Sequence, residues 1–250
     1  ARGGRTVGRW QANRLAQCEM TPDGLLVMMI DGELTVRELS QIDKPLWKKQ
    51  YDGTQYPAIL GVSTDMVAVS PAQNSPRVEV LTIPGDGRKL ASLDLAPSAG
   101  APNTPFDARF DGQDLLVLCA PGMAGQRKMV FGRLSSSRGL GIQKFSVAHE
   151  KRLWACDFDG SAMYYPNVLP TVVGKNHVVV TARHFQIGLA YYAYVVDLRT
   201  GKVAQKIDLR GGVAAAKDEN RRRQLIGQPV MTNGRLCVET SEGVTVYGEK

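Results

Sequence analysis

A short motif recurs five times along the chain, and it constrains the fold more than any other feature. In each copy a turn rich in Gly, Asp and Asn is followed at once by an apolar run. Asp-Gly and Asn-Gly pairs supply the positive φ angles of tight hairpins, and runs of Val and Leu are typical of β-strands. The copies are residues 22–27, 63–69, 111–117, 174–180 and 233–238. This self-similarity predicts a fold of repeated strand hairpins.

A second element follows each copy: an alternating strand, a polar turn and another strand. In two copies, residues 34–53 and 142–160, a Leu-Trp pair, three residues, an aromatic residue and Asp-Gly fall at the same places. Each unit therefore has four strands, which we call A to D. Four antiparallel strands repeated around an axis are the blade of a β-propeller. We expect an all-β fold, a β-propeller of four-stranded antiparallel blades.

The five predicted blades form a single propeller domain over residues 1–250. They cover about 13–52, 55–95, 103–159, 167–210 and 226–248. The last copy has no D strand of its own, whereas residues 5–10 look like a D strand. Pairing the two would close the ring and protect a sheet edge. The alternative is that the chain is part of a larger ring, and its start at Ala1 indicates a processed product or a piece of a longer protein.

Two stretches resemble a known repeat. Residues 194–203 read Tyr-Val-Val-Asp-Leu-Arg-Thr-Gly-Lys-Val, and residues 227–238 look like a terminal blade. Both are similar to the pyrroloquinoline-quinone-type (quinoprotein-like) propeller repeat, although Gln205 stands where Trp is usual. That family ranges from quinone-dependent dehydrogenases to non-catalytic scaffolds, such as the propeller lipoprotein of the outer-membrane β-barrel assembly machinery. The resemblance, closest to the scaffolds, implies an exported or periplasmic protein.

We expect no cofactor and no metal. Quinone dehydrogenases of this family hold the quinone and Ca²⁺ with a stacking Trp, an acidic base and often a disulfide between adjacent cysteines, and this chain has no adjacent pair. Its tryptophans fall in predicted D strands, where we interpret them as packing residues. No nucleophile elbow, zinc motif, haem site or P-loop occurs, so no catalytic residue is named. The tryptophans are Trp10, Trp47 and Trp154.

The four cysteines each lie inside a predicted strand, and none forms a C-x-x-C pair. We interpret them as buried free thiols, because Cys behaves as a small apolar residue in sheets. Disulfides in an oxidising compartment remain the alternative. The cysteines are Cys18, Cys119, Cys156 and Cys237.

Two long insertions interrupt the repeat, at residues 121–141 and 211–227. They fall in the B–C and D–A connections, which leave a propeller on one face. Eight basic and two acidic side chains give them a formal charge of +6, out of +7 for the chain. Such a surface favours anionic partners. The candidate contact residues in the insertions are Arg127, Lys128, Arg133, Arg138, Arg221, Arg222 and Arg223.

These features predict a non-catalytic binding or scaffolding propeller whose basic loop face takes an acidic protein, a larger assembly or an anionic ligand. His184, Tyr164 and Tyr165 are further candidate contacts on that face. The alternatives are an enzyme acting at the central channel, redox or hydrolytic, and a binder of nucleic acid or another anionic polymer. The basic residues 221–223 could equally be a solvated loop. No membrane span is expected, since the longest apolar run is residues 25–30.

Overall fold

The computed structural model describes residues 16–98, 102–121, 139–158, 162–163, 171–173, 176–185, 189–208, 230–232, 235–240 and 243–247. In these ranges the secondary structure is β throughout, apart from two 3₁₀ turns at Leu39–Gln41 and Gly53–Gln55. None of the helices described there is long and apolar enough to cross a membrane. The predicted all-β class is confirmed.

The strands form five antiparallel sheets that follow one another along the chain. Sheet one contains β1 (Ala16–Met20), β2 (Leu25–Ile30), β3 (Glu33–Glu38) and β4 (Pro45–Gln50). Sheet two contains β5 (Ala58–Val62), β6 (Met66–Ser70), β7 (Arg77–Thr82) and β8 (Lys89–Asp94). Sheet three contains β9 (Asn103–Asp111), β10 (Asp114–Pro121), β11 (Gly141–Ser146) and β12 (Lys151–Asp157).

Sheets four and five depart from this four-strand plan. Sheet four contains β13 (Ala162–Met163), β14 (Thr171–Val173), β15 (His177–Phe185), β16 (Leu189–Asp197) and β17 (Val203–Asp208), with β13 and β14 both paired to β15. Sheet five contains β18 (Val230–Thr232), β19 (Arg235–Thr240) and β20 (Gly243–Tyr247).

Neighbouring sheets contact one another through their A strands, and in sheet four the A strand is β14. β1 contacts β5, β5 contacts β9, β9 contacts β14, and β14 contacts β18. In sheets one to three the strand order runs A-B-C-D, so the D strand is farthest from these shared contacts. Sheets stacked through their inner strands in this way are the blades of a β-propeller, and the predicted fold class is confirmed.

The apolar cores lie between consecutive sheets. Because successive side chains of a strand point to opposite faces, each sheet contributes alternate residues to two cores. Val27 and Val36 of sheet one pack with Val67 and Leu81 of sheet two. Equivalent clusters join sheets two and three, and sheets three and four. Sheets two and three thus bury both faces, as a blade inside a propeller does.

The C and D strands of sheets one to four share an irregularity. Each D strand has one extra residue relative to its C strand, which makes a β-bulge. In sheet one, for example, Val36 pairs with Trp47 but Arg37 pairs with Pro45, which leaves Leu46 as the extra residue. The equivalent bulge residues are Leu90, Leu153 and Ala204. We call the residue after each bulge the docking position: Trp47, Ala91, Trp154 and Gln205.

The two tryptophans at docking positions join neighbouring sheets. Trp47 Nε1 donates to the carbonyl oxygen of Ile83 at 2.6 Å, and Trp154 Nε1 donates to that of Leu198 at 3.0 Å. Each ring lies against a glycine of the next sheet, where a Cβ would stand 2.6 Å from the nearest ring atom. The interpretation of Trp47 and Trp154 as packing residues in D strands is therefore confirmed, whereas Trp10 lies outside the described residues.

Sheets two and three are joined differently. Ala91 replaces the tryptophan, and Glu150, at φ +48°, stands where the turns of sheets two and four have Gly87 and Gly201. The Glu150 carboxylate accepts from the Ser92 N–H at 3.0 Å. The buried Gln143 side chain donates to the carbonyl oxygen of Ala96 and accepts from its N–H, both at 3.0 Å. Because Ala91 is smaller than tryptophan, the turn that faces it can hold Glu150, a residue with a side chain, instead of glycine.

All four cysteines are free and lie in strands. Cys119 and Cys156 are buried, but they belong to the cores on opposite faces of sheet three. Burial, with a smaller repulsion from Asp157, raises the pKa of Cys119 to about 12 and that of Cys156 to about 11. The interpretation as buried thiols is wrong for Cys18, which is exposed on β1.

Candidate functional site

The two insertions are anchored at the same end of sheets three and four. Phe158, just after β12, stacks on Tyr194 with ring centroids 4.4 Å apart, while Trp154 reaches Leu198 near the C–D turn. These contacts at both ends show that the two sheets point in the same direction. We call the end where the B–C and D–A connections leave the loop end, and the opposite end the turn end.

Most of the predicted contact residues fall outside the part of the chain that the structure describes. Among them, the structure describes only the backbone of His184, which pairs with Ala190 of β16 and Ala162 of β13. The predicted residues outside the described ranges are Arg127, Lys128, Arg133, Arg138, Tyr164, Tyr165, Arg221, Arg222 and Arg223.

An aromatic and cationic stack lies at the loop end of sheet four. Tyr194 is buried against Phe158, and the Lys206 ammonium lies 4.4 Å from the centre of the Tyr192 ring and 5.4 Å from that of Tyr194. Tyr194 and Lys206 are directly opposite each other on β16 and β17. Tyr194 therefore packs against Lys206 of the paired strand and against Phe158 of sheet three. The half-buried Tyr192 and exposed Lys206 present both a ring and a positive charge at the loop end.

A polar chain at the loop end of sheet three was not predicted from the sequence. Asn103 Nδ2 donates to Ser98 Oγ at 2.7 Å, and Ser98 Oγ donates to the Asp157 carboxylate at 2.7 Å. Asn103 is 1% exposed, yet its Oδ1 has no hydrogen-bond partner. Ser98 and Asn103 are five positions apart, but Asp157 lies 59 positions after Ser98 and the three match no motif, so only the tertiary structure could reveal the chain.

Charged side chains also occur on the inner strands. By register, Glu19 of β1, Gly61 of β5 and Arg109 of β9 are at equivalent levels, because each pairs with the equivalent residue of its B strand. A Cβ on Gly61 would meet the Ala108 carbonyl oxygen at 2.0 Å, so β5 and β9 touch at that level. Burial and repulsion from Asp107 raise the pKa of Glu19, and Arg109 partly opposes this rise. A carboxyl group that holds its proton more tightly can act as a proton donor or acceptor.

The side chains that the structure describes offer little to a metal ion. Within the described ranges, no three His, Cys, Asp or Glu side chains come together in a group that could hold one. The donor set that quinone dehydrogenases use, with a calcium site and adjacent cysteines, is not formed by these residues.

The fold and its inner and loop-end residues define an all-β protein built from four-stranded propeller blades. No protein-family model and no curated protein matches the sequence. Among solved structures, the chain is similar to a europium-containing methanol dehydrogenase, with a TM-score of 0.43 and 19% identity over 87% of this chain and 46% of that chain.

Two further solved structures are also similar. A quinohemoprotein alcohol dehydrogenase from Comamonas testosteroni has a TM-score of 0.43 and 14% identity over 76% of this chain and 36% of that one. A chain of a mitotic checkpoint complex has a TM-score of 0.38 and 10% identity over 93% of this chain and 75% of that one. The chain spans less than half the length of the two dehydrogenases. At such identities the comparison says nothing about activity.

Proposed function

We propose that the chain is a non-catalytic binding or scaffolding propeller, whose loop end takes an acidic protein partner or an anionic ligand. In character it is closest to the non-catalytic propellers of outer-membrane assembly, and we place it in an exported or periplasmic compartment. The observation that carries the proposal is the shared orientation of sheets three and four. It brings the anchor points of both basic insertions, after Pro121 and after Asp208, to one end.

Two features of the described residues support this function. The blades are held rigidly, by apolar cores on both faces and by the hydrogen bonds of Trp47 and Trp154. A rigid scaffold lowers the cost of presenting loops to a partner, because less freedom is lost on binding. The loop end also presents Tyr192, an aromatic ring of the kind that is enriched where proteins bind one another, and Lys206, whose positive charge favours an acidic partner.

The salt dependence of binding tests the proposal. Retention on heparin and on DNA is measured for the wild type and for an Arg221→Ala/Arg222→Ala/Arg223→Ala variant over a range of NaCl concentrations. We expect the variant to elute at lower salt, because fewer cations contact the anionic polymer. A variant with three basic residues removed elsewhere, Lys48→Ala/Arg77→Ala/Lys89→Ala, is the control for net charge. Identical elution of wild type and Arg221 variant would contradict the proposal.

A second function, chemistry at the inner strands, is favoured by one observation. Glu19, Asp107 and Arg109 lie within electrostatic reach of one another, and the pKa of Glu19 is raised by burial and by Asp107. A raised pKa in such a cluster is common at catalytic sites, and Glu19 would serve as the general acid or base.

Two measurements separate this second function from the first. A hydrolytic activity that is lost in Glu19→Gln, but kept in the exposed control Glu33→Gln, would support channel chemistry. For redox chemistry, a rise in melting temperature on adding pyrroloquinoline quinone and Ca²⁺ would show specific binding of the quinone. We expect neither effect if the chain is a scaffold.

A further inference from the structure

A basic residue occupies the same place at the turn end of four successive sheets. It lies three residues before the docking position, and in sheets two to four it directly follows the turn residue that faces the preceding sheet. All four side chains are exposed. The equivalence rests on strand register, because the docking positions pair with equivalent residues of the C strands. We call these residues the turn-end rim: Lys44, Arg88, Lys151 and Lys202.

The rim cations are not neutralised by neighbouring side chains. The ion pairs in the described part of the chain involve Lys48, Lys49, Arg77, Lys89 and Lys144, and none involves a rim residue. Carboxylates in the same turns are bound locally instead. Asp86 accepts from the Arg88 N–H, and Asp197 accepts from the N–H groups of Arg199 and Thr200. The rim therefore keeps four cations available to a partner.

Exposed leucines accompany the rim. The bulge residue lies two positions after each rim residue, and Leu46 and Leu153 are 48% and 49% exposed. Lysines on an outer strand are a common defence against unwanted strand pairing. Exposed leucines do not serve that purpose, because apolar surface is left in water only at a cost. The pair of an exposed cation and an exposed leucine occurs in sheets one and three, and a partner that covers this surface would remove both leucines from water.

We propose that the turn-end rim is a second binding surface, which takes an extended polypeptide segment carrying alternating acidic and apolar residues. This surface is independent of the basic insertions, which leave from the loop end. Packed sheets are about 10 Å apart, and an extended chain rises about 3.3 Å per residue. A segment on the order of 10–15 residues would therefore pass four rim positions, with an acidic residue near each cation.

The charge distribution at the turn end favours such a segment over a membrane surface. The A–B turns, which lie nearer the axis, carry carboxylates: Asp23, Asp65, Asp111 and Asp114. A flat anionic membrane would meet Asp23 and Asp65 together with the rim and would be repelled by them, whereas Asp111 and Asp114 are paired with Lys144. A narrow segment that follows the start of the D strands meets the four cations and the two exposed leucines, and the Asp86, Glu150 and Asp197 carboxylates near it are bound to backbone N–H groups. Complementary charge then fixes the register of the segment.

Fluorescence anisotropy with two labelled peptides tests the proposal. One peptide has about 15 residues, mostly Glu with Leu at every third position, and the other has Gln in place of each Leu, so that the charges are equal. Three variants are compared with the wild type. The first removes the rim cations, Lys44→Gln/Arg88→Gln/Lys151→Gln/Lys202→Gln. The second removes the exposed leucines, Leu46→Ser/Leu153→Ser. The third removes four cations from the insertions, Arg127→Gln/Arg221→Gln/Arg222→Gln/Arg223→Gln.

We expect the Glu/Leu peptide to bind the wild type and to lose at least tenfold in affinity with the rim variant. The leucine variant should weaken binding of the Glu/Leu peptide to the level of the Glu/Gln peptide. The insertion variant, whose net charge falls from +7 to +3 like that of the rim variant, should bind as the wild type does. The proposed function predicts weaker heparin retention for the insertion variant, and the present inference predicts weaker peptide binding for the rim variant. The two proposals can therefore fail independently of each other.

Three results would overturn the inference. Equal losses with the rim and insertion variants would mean that only net charge matters. Equal affinity for the two peptides would identify a surface for polyanions rather than for a polypeptide. Binding of the wild type to vesicles rich in phosphatidylglycerol, without binding of the Glu/Leu peptide, would identify a membrane surface. The rim and leucine variants change exposed residues, and circular dichroism confirms that every variant is folded before it is used.

Discussion

The contact between Trp47 and Gly87 makes a strong prediction about stability. A Cβ added to Gly87 would lie 2.6 Å from a ring carbon of Trp47. The ring is 7% exposed and its Nε1 is bound to the Ile83 carbonyl oxygen, so it has little room to withdraw. Gly87→Ala should therefore force sheets one and two apart at this point.

The expected magnitude has two parts. Gly87 has φ +69°, a left-handed conformation that costs a residue with a Cβ about 1–2 kcal/mol. Overpacking a close-packed core costs about 1–3 kcal/mol more. Gly112 offers a matched control, since its φ is +60° and no atom lies within 4 Å of the added Cβ. Gly112→Ala should lose only the stability that the left-handed conformation costs. The difference between the two losses, about 1–3 kcal/mol, then measures the clash with Trp47.

Urea unfolding, followed by fluorescence, gives the loss for each variant. The cycle is completed in a Trp47→Ala background, where Gly87→Ala should cost no more than Gly112→Ala does. The junction of sheets two and three already shows this combination, with Ala91 at the docking position and Glu150 at the turn. The reasoning is refuted if Gly87→Ala and Gly112→Ala lose equal stability, or if the cost of Gly87→Ala is unchanged without Trp47.

Three further predictions follow from the sheet junctions. Burial opposes ionisation of Glu79, but hydrogen bonds from Lys49 and Tyr51 outweigh it and lower its pKa. Its contribution to stability is present above the ordinary Glu pKa and is lost as the pH falls through the lowered value, so acid titration should destabilise the wild type more than Glu79→Gln. Iodoacetamide at pH 8, read by peptide mass spectrometry, should label Cys18 well before Cys119; comparable rates would contradict the burial described. Gln143→Leu should cost about 1–3 kcal/mol in urea unfolding, because the Ala96 N–H loses its partner while the Ala96 carbonyl oxygen keeps its bond from Asn103; a loss below about 0.5 kcal/mol would argue against the Gln143 bond.

Much of the fold could be predicted because its signals are local. A Gly-containing turn followed by Val and Leu predicts a hairpin from a few residues, and the recurrence of that signal predicts similar units. The position of Trp47 and Trp154 in D strands could be predicted for the same reason. The candidate site could be predicted less well from the sequence, since the basic insertions have no repeat or periodicity that defines a structure.

The residues that join the sheets could not be predicted. The negative charge of Asp107 raises the pKa of Glu19 although another strand lies between them. Ser98 donates a hydrogen bond to Asp157, which is 59 positions away in the sequence. Nothing in the local sequence distinguishes these groups from ordinary surface residues. The exposed Leu46 was also unremarkable until the register of β3 and β4 placed it in a bulge.

The sequence by itself determined the strands, the turns and their repetition, because hairpin formation depends on φ angles and on alternation within a few residues. Only the tertiary structure decided which residues of separate sheets meet. Trp47 donates a hydrogen bond to Ile83, 36 positions away, and Trp154 donates one to Leu198, 44 positions away. Such pairs depend on how the sheets stack, since packing and charge act through distance in space rather than along the chain.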